Sequence, residues 1–241
     1  MTSHLYTAEK TCVLCDKPFT VTKVRGRQPL IKQDSDFCSY YQEVNPYYYA
    51  IWVCPNCGYA AQDTYFEEYP AKANTIKEFL ANRAVNVNFS GERTREQAIV
   101  TYKLAMFFAD LAGMLNSRMA GLYLKLAWLY REGEQSAEEL VALDKAREYY
   151  ERSFLKEKMP IGNMSELTLE YLCGELLRRT GKLPEALNYL GKVVTNPRAK
   201  QEKRILTMAR DAWDEARAAR KMQVSESQTA SDTLPEKAAA E

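Results

Sequence analysis

The sequence predicts an α+β protein: a small cysteine-bearing β module followed by an all-α array of helical hairpins. Three observations carry this. Two C-x-x-C pairs, Cys12/Cys15 and Cys54/Cys57, fall within the first 70 residues. Apolar residues recur at helical spacing from about residue 71 to 222. Gly and Pro interrupt that stretch where short helix–helix turns would fall.

The bulk composition sets the frame. With 46% hydrophobic and 27% charged residues, the 241-residue chain has ordinary globular composition and can bury a core without disulfide staples. Its net charge of +1 argues against a general polyanion binder. The charge is unevenly spread: residues 1–70 carry a net −2, residues 71–222 a net +6 and residues 223–241 a net −3. The N-terminal residues lack the apolar core of a signal peptide, and no run of about 18 apolar residues marks a membrane span. Six cysteines in such a chain point to metal binding in a reducing compartment, with the cytoplasm as the expected location.

Residues 1–70 are expected to form the β module. Phe19–Arg25 reads as a strand, Gly26 as a turn and Leu30-Ile31-Lys32 as the return strand. Tyr47–Val53 is a second β-prone run after an Asn45-Pro46 turn. Within this module, Cys12-Val-Leu-Cys15 and Cys54-Pro-Asn-Cys57-Gly58 read as two zinc knuckles. Two residues between cysteines let the backbone turn so that both thiolates converge on one ion, and Gly58 supplies the positive φ such a turn needs. Four thiolates in tetrahedral array suit zinc. The 38 residues between the pairs leave room for a small sheet, which is a zinc-ribbon arrangement. The expectation is one structural Zn2+ per chain, held by Cys12, Cys15, Cys54 and Cys57. A catalytic zinc needs an open position, which four cysteines do not leave. The sole histidine, His4, lies in an untethered N-terminal stretch and is not expected to be a ligand. A redox C-x-x-C fits poorly, because the flanks are strand-like and the motif is duplicated.

Three features between the knuckles admit two readings each. Cys38 is a buried small hydrophobe or a reactive thiol near the metal. Asp34 and Asp36 are turn caps or a catalytic pair on one strand face. Eleven aromatics among residues 37–69 are core, or a stacking platform for single-stranded nucleic acid. A local basic hairpin of Lys23, Arg25, Arg27 and Lys32 favours the platform, and the module's negative charge opposes it.

Residues 71–222 are expected to form six helices. Ile99, Tyr102, Met106 and Ala109 form one stripe, and Leu104, Phe107, Phe108 and Leu111 a second on the same segment, as in a helix sandwiched between neighbours. Later helices are marked by Leu122–Tyr130, Leu140–Phe154, Leu169–Leu177, Leu187–Val194 and Ile205–Trp213. Breaks fall at Gly133, Pro160–Gly162, Gly181–Pro184 and Asn196-Pro197. Gly174, Gly181, Ala186, Leu190 and Asn196-Pro197 resemble the tetratricopeptide repeat, a helix–turn–helix unit of about 34 residues. Leu126, Trp128, Tyr130, Gly133, Ala146, Tyr150 and Pro160 repeat the plan with a longer turn. Cys173 is expected in the core. The charges from Arg198 to Lys221 read as a solvated helix face. Residues 223–241 have almost no apolar anchor and are expected to be disordered. The common nucleotide and hydrolase signatures are missing from the sequence.

Taken in order, Cys12-Val-Leu-Cys15, Phe19-Thr, Lys23-Val-Arg25, Asp34-Ser-Asp-Phe-Cys38, Asn45-Pro46-Tyr47-Tyr48-Tyr49 and Trp52-Val-Cys54-Pro-Asn-Cys57-Gly58-Tyr59-Ala60 resemble the bacterial family catalogued as domain of unknown function 2225. The resemblance covers most of residues 10–215. It implies a bacterial cytoplasmic protein with a zinc-ribbon start and repeat-like helices, and makes the Asp34–Cys38 segment part of the module's design. It carries no assigned activity, substrate or catalytic residue. The leading expectation is a non-enzymatic scaffold whose helical array binds a protein or peptide partner, with no membrane association. The alternatives are a nucleic-acid-binding zinc-ribbon protein and an enzyme using Cys38 or Asp34/Asp36.

Overall fold

The computed structural model describes residues 4–81 and 87–232, with side chains to residue 225. Six short strands form three antiparallel hairpins, and seven α-helices follow among the described residues. The chain divides into two compact units, Met1–Glu157 and Lys158–Glu241. The change of texture near residue 70 is therefore not where the compact units part: the first four helices belong with the strands.

In the first unit, β1 (Leu5–Thr11) pairs with β2 (Pro18–Val24), Leu5 opposite Val24 and Thr11 opposite Pro18. β3 (Leu30–Gln33) pairs with β4 (Ser39–Tyr41), and β5 (Ile51–Val53) with β6 (Ala60–Gln62). The expected pairing of Phe19–Arg25 with Leu30–Lys32 across Gly26 does not occur. β2 buries Phe19 and Val21 in the hairpin with β1, whereas β3 is exposed at all four positions, Leu30 and Ile31 included, and pairs with β4. β3 instead turns at Ser35–Phe37 into β4. Asp34 and Cys38 close that loop (Asp34 N–H to Cys38 O, 2.8 Å), and Phe37 takes a left-handed φ of 69°. A three-residue hairpin loop ending in a left-handed residue is a common connection.

The expected strand over Tyr47–Val53 is also shorter. Pro46–Tyr49 forms a 3-10 turn, and only Ile51–Val53 is extended. Asn45 accepts the Tyr47 N–H at 3.0 Å and Pro46 opens the turn, so local capping overrides the β propensity of three tyrosines.

α1 (Ala73–Ala81), missing from the expected series, buries Ala73 and Ile76. α2 (Arg95–Ala112) begins with a reciprocal Thr94/Gln97 capping box and ends at Gly113 with φ 66°. Its buried face, including Ile99, Tyr102, Ala105 and Phe108, packs on β5 and β6. α2 also packs against α1 and against the helix that follows it, Asn116–Glu132, as expected of a sandwiched helix, but part of its surface stays open. Val100 and Phe107 remain 47% and 44% exposed, and Phe79 of α1 covers part of Phe107 at a ring distance of 4.8 Å. α3 (Asn116–Glu132) and α4 (Ser136–Lys156) fold back on each other through Gly133–Gln135.

In the second unit, α5 (Glu166–Arg179) is capped by Ser165, which accepts the Thr168 N–H. α6 (Leu183–Thr195) returns against α5, and α7 (Lys203–Asp232) packs on both. α5 and α6 meet at Gly174, where an added Cβ would lie 2.8 Å from Leu190 Cγ. Cys173 beside it is buried. Residues 223–232, expected to be disordered, continue α7; the rest of that expected tail, 233–241, lies outside the described residues. No helix among the described residues is long and apolar enough to cross a membrane.

Candidate metal centre

The two knuckles are the tips of two hairpins: Cys12–Lys17 links β1 to β2, and Cys54–Tyr59 links β5 to β6. They share one backbone plan. The Cys12 N–H donates to Lys17 O at 3.1 Å, and Cys12 O accepts from the Asp16 N–H at 2.9 Å. The Cys54 N–H donates to Tyr59 O at 2.8 Å, and Cys54 O accepts from the Gly58 N–H at 2.8 Å. The fifth residue is left-handed in both, Asp16 at φ 57° and Gly58 at 82°. Glycine meets that demand without strain; aspartate is one of the few other residues that tolerate it.

This plan brings four sulfurs together. Cys12 Sγ lies 3.7 Å from Cys57 Sγ, Cys15 Sγ lies 3.7 Å from Cys54 Sγ, and all four lie within 4.8 Å of one another. Thiolates about 2.3 Å from a central ion form a tetrahedron with edges of about 3.8 Å. The separations fit that figure and are far too long for a disulfide, and all four cysteines are free. Cys12 and Cys54 are fully buried, while Cys15 and Cys57 are partly open to solvent. Crowding makes the thiols share protons. Hydrogen bonds from Cys12 and Cys57 drive the Cys54 thiol down, while the hydrogen bond with Cys54 holds Cys12 up. The cluster is thus compatible with one metal ion. His4 stands 3.8 Å from Glu43 and is not among the clustered ligands.

The aromatics behind the knuckles are mostly core. Phe66 is fully buried and meets Phe19, Trp52 and Tyr59 at ring distances of 5.4, 5.8 and 5.3 Å. Tyr59 also meets Phe108 of α2 at 5.4 Å, which ties the second knuckle to that helix. Tyr69, at 60% exposure, is the most open of the group. Three of the four expected basic-hairpin cations lie over rings: Lys23 over Trp52, Arg25 over Tyr6 and Lys32 over Tyr40.

The Asp34–Cys38 turn shows the expected capping, with the Cys38 N–H donating to Asp36 Oδ1 at 3.4 Å, and has a further role. Asp36, fully buried, accepts from Arg131 Nη2 at 2.6 Å and from Trp128 Nε1 at 3.0 Å. Asp34 accepts from Arg131 Nη1 at 3.1 Å, the Tyr40 hydroxyl at 2.8 Å and Lys32 Nζ at 3.2 Å. Arg131 Nε donates to Glu139 at 2.7 Å. One guanidinium thus fastens the β3–β4 turn to α3 and α4. Burial works against ionisation of Asp34, but hydrogen bonds from Tyr40 and Lys32 and the nearby positive charges outweigh it and hold its carboxyl below the usual value. Burial pushes the Cys38 thiol up to about 12, despite Arg131, so it stays protonated at neutral pH and is a poor nucleophile. Arg131 and Glu139 do not stand out in the sequence, and Trp128 stands out there only as a repeat-like residue. Their link to the turn spans more than 90 residues, and nothing in their local spacing announces it.

A family model described as "Uncharacterized protein conserved in bacteria (DUF2225)" matches residues 5–216. No curated protein and no solved structure matches the chain.

Proposed function

The chain belongs to the bacterial family of domain of unknown function 2225, and we propose that it is a zinc-stabilised, non-enzymatic module that binds a protein partner through its helices. Zinc is the ion that four thiolates at tetrahedral spacing favour, with no position left for a substrate. Bound there, it ties the tip of β1–β2 to the tip of β5–β6. The second hairpin packs on α2, partly through Tyr59 on Phe108, so the metal fixes the orientation of that helix. Reduced thiolate ligands of this kind suit the cytoplasm.

The observation that carries the partner reading is an apolar seam on α2 that joins Val100 to Leu104, Phe107 and Leu111 of its second stripe. Val100, Leu104, Phe107 and Leu111 recur at i, i+4, i+7 and i+11, the spacing of a seam that packs on another helix, with Val100 and Phe107 exposed. Helical hairpins supply the rest of the frame. The tetratricopeptide-like reading of α5–α6 draws support from the close approach at Gly174 and the left-handed turn at Gly181. The enzymatic alternative loses support because Asp34 and Asp36 are occupied by Arg131 and Cys38 is a buried thiol.

The test uses the intact chain. Wild type and Val100→Asp/Phe107→Asp are compared for recovery of identified partners, with Leu155→Asp on the exposed face of α4 as a control. The reading expects a partner that the α2 variant loses and the control keeps. Identical recovery by all three proteins overturns it.

A further inference from the structure

A cleft of about 300 Å3 opens in the first unit, away from the cysteine cluster, with Lys23, Tyr47, Tyr49, Trp52, Asp63 and Lys125 among its walls. That volume is at the lower end for small-ligand sites. Its charges do not cancel. Lys125, part-buried on α3, makes no hydrogen bond or ion pair among the described residues, and neither does Lys23, which rests over the Trp52 ring at 5.4 Å. Asp63 faces them as the one carboxylate of the cleft, and its Oδ1 already accepts the Thr64 N–H at 2.8 Å. Two ammonium groups against one carboxylate leave one positive charge in excess.

One donor at the cleft is also unmet. The Trp52 indole N–H is buried in the wall without an acceptor among the described residues. A buried donor without an acceptor costs about 1–3 kcal/mol, so such groups call for an occupant. Burial also lowers the proton affinity of Lys125, with Asp63 opposing weakly, as for an ammonium that lacks a counter-ion. The remaining walls are the aromatic residues Tyr47, Tyr49 and Trp52 with Val24, Gly26, Pro46 and Ala50, an apolar lining that suits a flat body.

We propose that this cleft binds a small aromatic monocarboxylate, its carboxylate held by Lys125 and Lys23 and its ring seated among Tyr47, Tyr49 and Trp52. A monoanion neutralises the excess charge; a phosphate dianion would over-compensate it beside Asp63. An unreactive salt contact is all this requires, with no covalent step.

The probe is benzoate, titrated into the intact, metal-loaded protein while the assigned Trp52 indole N–H resonance is followed by NMR. Benzamide and phenyl phosphate serve as neutral and dianionic comparisons. A saturable benzoate shift is expected, weakened at least about tenfold by Lys125→Met and retained by Lys125→Arg. Lys23→Gln, which leaves the α3 packing untouched, should weaken it in the same sense and keeps the test valid if Lys125→Met does not fold. No saturable shift, wild-type affinity in both neutralising variants, equal binding of benzamide, or tighter binding of phenyl phosphate would each overturn the proposal.

Discussion

Arg131 and Asp36 are 95 residues apart in the chain, and their side chains meet at 2.6 Å between Nη2 and Oδ2. Asp36 is fully buried, so this pair holds the β3–β4 turn against α3 from inside the unit. Without Asp36, Arg131 keeps only Asp34 and Glu139. Asp36→Ala should cost about 3–5 kcal/mol in urea unfolding, because Arg131 loses its closest carboxylate and the Trp128 N–H its acceptor. Arg131→Met, which also takes the shared cation from Asp34 and Glu139, should cost at least as much as Asp36→Ala. A loss below about 1 kcal/mol for Asp36→Ala would place the pair among weak surface interactions.

The same cluster sets an acid limit. Asp34 has its carboxyl pKa lowered in the folded protein. A lowered native value contributes stability that is complete above the unfolded value of about 3.9 and is lost as pH falls through the native one. Unfolding midpoints measured downward from pH 6 should therefore fall more steeply below about pH 4 in wild type than in Asp34→Asn. Parallel profiles would separate Asp34 from acid stability.

Cys38 offers a chemical check on the turn. Its thiol is 3% exposed and burial raises its pKa to about 12. Iodoacetamide at pH 7.5 (roughly one unit below a free thiol) should leave Cys38 unmodified in the native protein and label it after unfolding. Labelling in the native state, read by peptide mass spectrometry, would reopen the reactive-thiol reading.

The second unit is tested at Gly174. A methyl there would press on Leu190 Cγ at 2.8 Å and Tyr189 Cβ at 3.1 Å. Gly174→Ala should cost about 1–3 kcal/mol through overpacking of α5 on α6. Gly181→Ala meets open space, so its loss should be about 1 kcal/mol and come from the φ of 76° alone. Equal losses at both sites would mean that helix approach at Gly174 is not tight.

Some of this was legible from local spacing. The cysteine pairs gave the four clustered thiols because a knuckle is a six-residue backbone plan. The stretch from Ile99 to Trp213 gave its six helices because the apolar period is local. Strand pairing was misread because it depends on which faces find a partner. β2 buries Phe19 and Val21 in its hairpin with β1, while Leu30 and Ile31 of β3 stay exposed. The Tyr47–Tyr49 segment was misread because Asn45 and Pro46 outweigh tyrosine's β propensity. The Asp34–Cys38 segment stood out, but its partner Arg131 could not be found without the tertiary structure that brings α3 to the turn.

The account rests on one ion joining two hairpin tips. Its most direct measurement is native mass spectrometry of the intact chain purified under reducing conditions without chelator. One zinc per chain is expected, and Cys54→Ser/Cys57→Ser should lose it together with the ordered β5–β6 packing on α2. A metal-free, fully folded wild-type protein, or a Cys54–Cys57 disulfide in its place, would contradict the account.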